Sequence, residues 1–128
     1  MAGKIIADTL EHSTAGSLDT SYVVNGSNKV WARWNLSGTA ALNDSFNTAS
    51  LTDLGVGYSR ITYSSAITDA NYGITGICGE IAGGGNRVIG VYGNGGYNTT
   101  SSAYRSNNSS FAASDETYNS IALNGDLA

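Results

Sequence analysis

Proline is absent and cysteine occurs once in 128 residues. Without proline, no strand loses a backbone donor to a ring. With Cys78 alone, an intrachain disulfide framework and a multi-cysteine metal site are both excluded. Histidine also occurs once, as His12, so any Ser-His-Asp or Cys-His unit would have to be built on one residue near the N-terminus. Charge is scarce: the cations are Lys4, Lys29, Arg33, Arg60, Arg87 and Arg105, and ten acids bring the net charge to −4. That leaves no basic stripe to neutralise a phosphate backbone, which argues against nucleic acid as a partner. No run reaches the roughly 18 apolar residues that cross a bilayer. The opening MAGKIIADTLEH lacks a signal-peptide core with a cleavage site. The chain is therefore expected to be made and held in a cytoplasm until it assembles, with no membrane insertion.

Large aliphatic side chains are few as well. Leu, Ile, Val and Phe together number 25 of 128, close to the level of about 20% below which chains struggle to fold alone. Disorder would follow if charge were high, but Asp, Glu, Lys and Arg make up only 12%. A thin core with little self-repulsion predicts that copies of the chain complete one another's apolar burial, and a homotrimer is expected.

What the chain does have is turn punctuation. Asn25-Gly26, Ser37-Gly38, Asp53 to Gly57, Asp69 to Asn71, Gly83 to Asn86 and Asn94-Gly95 separate short runs rich in β-branched residues and Tyr. This spacing predicts an all-β domain over residues 22–128, an antiparallel β-sandwich or a jelly roll, in a chain with room for one domain. Asn94-Gly95 between VIGVY and YNTTSSAY predicts a tight two-residue hairpin turn. Long helices are not expected, and Ser120 to Leu123 reads as a strand. Residues 1–21 read as an extended N-terminal attachment arm, with Ile5 and Ile6 as its apolar contact.

The run Val30-Trp31-Ala32-Arg33-Trp34-Asn35-Leu36 is the most specific local signal. Strand side chains alternate between faces, so Val30, Ala32, Trp34 and Leu36 share one face while Trp31 and Arg33 share the other. Trp34 is expected in the core, and Trp31, stacked with Arg33, at a subunit or ligand contact. A strand buried on both faces in a monomer is the alternative.

Chemistry-bearing groups do not converge in the sequence. GxSxG, HExxH, the phosphate-loop and the EF-hand patterns are all missing. Asp44, Asp53, Asp69 and Glu80 have no spacing that forces a carboxylate pair into one cleft. Asp53 is expected to bond turn amides, and a calcium site at Asp44 and Asp53 would want more converging oxygens. No enzyme activity, cofactor or metal is expected. Cys78 is expected to be buried and inert. The eight tyrosines with Ser, Gly and Asn suit an adaptable binding surface, and also the half-buried positions of a sheet. Tyr97 and Tyr104, in the Gly/Asn/Ser-rich hairpin region, are the candidate ligand contacts.

The motifs VNGS, KVWARW, the Gly38 turn, DSFNTAS, TDLGVG and SSAITDANY follow one another between Tyr22 and Gly76. In this order they resemble a block of tailed-bacteriophage fibre-like or small virion structural proteins, and the preceding GKIIADTLEHSTAGSLDTSYVV resembles the start of short stand-alone members. Residues 82–110 match nothing in that pattern. The resemblance implies a non-enzymatic, trimeric β-rich element on the virion surface, with the arm docked on a capsid or tail protein and outer loops free to contact a host surface glycan. Two other readings remain: a capsid decoration protein clamping neighbouring capsomers, and a cellular carbohydrate-binding module.

Overall fold

The computed structural model describes residues 6–81 and 85–125. Its organising strand is β3 (Asn28–Asn35), because the alternation read above holds: Val30, Ala32 and Trp34 point inward and are buried, while Trp31 and Arg33 point outward. Around it a first sheet forms in the order β4 (Ala41–Phe46), β3, β10 (Tyr118–Asn124), β7 (Gly73–Gly79). A second sheet takes the order β5 (Thr48–Gly55), β6 (Tyr58–Tyr63), β9 (Ser101–Asn107), β8 (Val88–Val91). Every pairing is antiparallel.

The inward faces of the two sheets share one core. Val30, Trp34, Leu36, Ile121 and Leu123 come from the first sheet and its end, and Ile61, Tyr63 and Tyr104 from the second. Trp34 is fully buried, with its ring centroid 5.6 Å from that of Tyr104. The sequential hairpins β3–β4, β5–β6 and β8–β9 each lie within one sheet, so of the two expected architectures the strand order is that of the sandwich. The strand expected at Ser120 to Leu123 is the central part of β10.

Two local expectations are corrected. Thr20–Gly26 is a helix, α1, where the turn punctuation from Tyr22 predicts strand, and the first strand of the sandwich is β3. Asp19 starts the helix by accepting the Ser21 amide at 2.8 Å, which also lowers the Asp19 carboxyl below its usual range. At the far end, the buried Lys29 donates its ammonium to the Val24 carbonyl and to Ser27 Oγ, satisfying an end carbonyl that has no partner within the helix. The β8–β9 hairpin is real, but its connection runs over residues 92–100; Gly95 does take a positive φ of 80°, inside a longer loop. That loop is tied to Tyr72: the Asn98 amide donates to the Tyr72 hydroxyl at 3.0 Å.

Ahead of the helix, β1 (Thr9–His12) and β2 (Gly16–Asp19) form a separate two-stranded hairpin. The expected arm is thus a hairpin and one short helix, and among its described side chains none is buried. Ile6 is largely exposed, and Ile5 lies outside the described residues.

Candidate interaction surface

The outward face of the first sheet is unusually apolar for a surface. Register sets Phe46 opposite Trp31, Trp31 opposite Ala122, and Ala122 opposite Thr75, in one row across all four strands. The next row runs Asp44, Arg33, Ser120, Ile77. Trp31 is 36% exposed, Phe46 53% and Ile77 75%. Because β10 presents the small Ser120 and Ala122 between larger neighbours, the face is troughed there. A hollow of about 360 Å³ lies beside Arg33, Ile77, Tyr118 and Ser120.

Arg33 does not stack on Trp31 as expected. Its guanidinium carbon sits 5.3 Å from the ring centroid of Tyr118, the neighbour diagonal to it on β10. Trp31 and Arg33 are therefore brought to one outward face, and Phe46, Ile77 and Tyr118 join them. Phe46 and Ile77 were missed because strand pairing, which puts them beside Trp31, is not written in local sequence.

The edge of this sheet at β7 adds a second feature. Seven residues, GITGICG, pair with β10 in unbroken register and contain no charge. The opposite edge, β4, carries a bulge and Asp44, and β5 carries two register shifts and Asp53. Among the described edges, β7 is the long one without the usual protection of charge, proline or bulge.

Tyr97 is 48% exposed, with its ring 5.3 Å from that of Tyr72. Tyr104 is not a surface contact. It is buried in the core, its hydroxyl bonded to Ser102, and burial pushes its phenol above the ordinary range. It also lines a hollow of about 180 Å³ between β7 and β8, together with Ile74, Ile89, Val91 and Ile121. The signal that misled was the polar flank: Ser102 and Ser106 look like surface residues, yet both are buried.

Cys78 is half-buried and its thiol is pushed up by that burial, which disfavours the reactive thiolate. Asp53 accepts the Gly55 amide at 2.8 Å, as its place in the turn predicts. Among the described residues, no three His, Cys, Asp or Glu side chains converge, and no helix is long and apolar enough to cross a membrane. No protein-family model, no curated protein and no solved structure matches this chain.

Proposed function

We infer that the chain is a non-enzymatic structural protein of a tailed-phage virion, a small homotrimeric fibre or knob anchored by its N-terminal hairpin and helix. The observation that carries the reading is the outward face of Trp31, Phe46, Ile77 and Tyr118, continuous with the unprotected β7 edge. The exposed parts of these four side chains amount to roughly 400 Å² if a large side chain offers about 150–250 Å² in all. A stable interface needs about 800 Å² per partner, so this patch supplies about half and the surrounding Arg33, Thr75, Ser120 and Ala122 lie within the same contact. The sequence resemblance supplies the setting, and the arm, which shares little with the core, suits docking on a capsid or tail protein.

Antibody to the chain, applied to purified virions and viewed by negative staining, tests the placement. Label on the tail supports the fibre, and label spread over the capsid supports decoration of neighbouring capsomers. Particles that carry no label contradict a virion role and leave the carbohydrate-binding module as the reading to pursue.

A further inference from the structure

The second sheet turns a different surface outward, on the side of the sandwich away from the apolar face. Tyr58 and Arg60 on β6 alternate with the buried Ser59 and Ile61 and so face out. Register places Arg105 of β9 opposite both Tyr58 and Gly90, and places Ala103 opposite Arg60. Tyr92 follows β8 directly and brings its ring centroid to 4.6 Å from that of Tyr58. The Arg105 guanidinium carbon lies 5.7 Å from the Tyr58 ring centroid. Two arginines and two tyrosines therefore share one patch, with small residues, Gly90 and Ala103, between them.

Among the described residues, neither arginine has an acidic partner. The ion pairs among the described residues both belong to Arg87, with Glu80 and with Glu116. The Nε atoms of Arg60 and Arg105 are buried without a hydrogen-bond partner, and Arg105 Nη2 reaches only the Phe111 carbonyl, at 3.5 Å. Arg60 Nη2 packs closely against Gly95, where a Cβ would come within 3.1 Å of it, and Asn98 Nδ2 donates to the Gly95 carbonyl at 3.1 Å. In a chain of net charge −4 with six cations, two cations set diagonally on one face repel each other unless an anion lies between them.

A guanidinium presents a planar fork of donors that matches a carboxylate, and tyrosine rings present flat area with a polar tip. Two isolated cations are too few for a nucleic-acid backbone. We propose that Arg60, Arg105, Tyr58 and Tyr92 form a binding site for a carboxylate-bearing saccharide of the uronate type, the carboxylate held by the guanidiniums and the sugar ring laid against the tyrosines. The proposal deepens the host-glycan contact that the sequence resemblance implies and is independent of the virion part. The pure chain tests the one, and labelled particles test the other.

Calorimetric titration of the full chain with trigalacturonate, with a neutral galactose trisaccharide and with a sulfated galactose oligosaccharide decides it. Trigalacturonate is expected to bind, more weakly as salt is raised, and the neutral sugar is not. Arg60→Gln and Arg105→Gln are each expected to weaken binding about tenfold or more, as loss of a charge-assisted hydrogen bond does, with an unchanged thermal midpoint. Where a Gln variant unfolds, the Lys variant at the same position replaces it and is expected to show the same loss, because an ammonium cannot form the fork. No heat with trigalacturonate, equal affinity for the neutral sugar, a preference for the sulfated one, or affinity untouched by these substitutions would each overturn the assignment.

Discussion

Arg87, just before β8, meets the wholly buried carboxylate of Glu116, Nη1 to Oε1 at 3.2 Å, and its other terminal nitrogen pairs with Glu80. Glu116 lies in the loop before β10, where its carbonyl also accepts the Leu36 amide at 3.0 Å. Asn119 continues the network: it donates to the Glu116 carbonyl at 2.8 Å and accepts the Ser106 hydroxyl. Arg87→Ala would strand a buried charge, and a loss of about 3–5 kcal/mol is expected. Replacing Arg87 with Met and Glu116 with Leu together should recover most of that loss. Urea unfolding of the single and double variants is the check; a double variant as unstable as the single would show that the charges are not a coupled pair.

Trp34→Ala should remove the centre of the core. With the ring fully buried against Tyr104, a loss of about 3–5 kcal/mol is expected. A two-state urea titration measures it, and a midpoint close to that of the unaltered chain would refute the assignment of Trp34 to the core.

How much of this could be read from sequence differs from element to element. The β3 alternation was legible because one strand's period needs no knowledge of its neighbours, and Trp34 and Trp31 fell on their observed faces for that reason. Tyr104 reads as a contact candidate because it lies in a Gly/Asn/Ser-rich region, yet its strand, SSAYRSN, carries serines on the core face. Burial of Ser102 and Ser106 is tolerated only through hydrogen bonds to Tyr104 and Asn119, and those partners are not visible along the chain. The helix over Thr20–Gly26 hid behind two β-branched valines and depends on caps from Asp19 and Lys29. The burial of Glu116 is not legible along the chain, since its arginine lies 29 positions away. The Arg60, Arg105, Tyr58 and Tyr92 patch exists only through the β6–β9–β8 pairing, a long-range fact.

Alkaline pH should weaken the fold. Desolvation, the largest effect, raises the phenols of Tyr63 and Tyr104. In the unfolded chain tyrosine ionises near pH of about 10, so the stabilisation is fully present below that pH and is lost as pH rises above it. Unfolding free energy is expected to be flat to about pH 9 and to fall beyond about pH 10, with a shallower fall in Tyr63→Phe. A flat profile to higher pH would contradict the burial of these hydroxyls.

Gly57 and Gly38 both have positive φ, 75° and 77°, but their surroundings differ. A Cβ on Gly57 would lie 2.5 Å from the Ser114 amide nitrogen and 2.7 Å from the Ser106 carbonyl oxygen, whereas the space at Gly38 is open. Gly38→Ala should cost about 1–2 kcal/mol, the left-handed backbone strain alone, and Gly57→Ala clearly more because backbone must move. Thermal unfolding of the two variants compares them directly, and equal midpoints would contradict the close packing at Gly57.

Sedimentation equilibrium of the full chain, beside Trp31→Ala and Ile77→Asp, tests the central claim that the outward face of the first sheet joins copies of the protein. A trimer that dissociates in both variants, while each protomer keeps its folded spectrum and loses only about 1 kcal/mol of stability in Trp31→Ala, is the predicted result. A single-chain mass at every concentration, or an assembly indifferent to both substitutions, would contradict it.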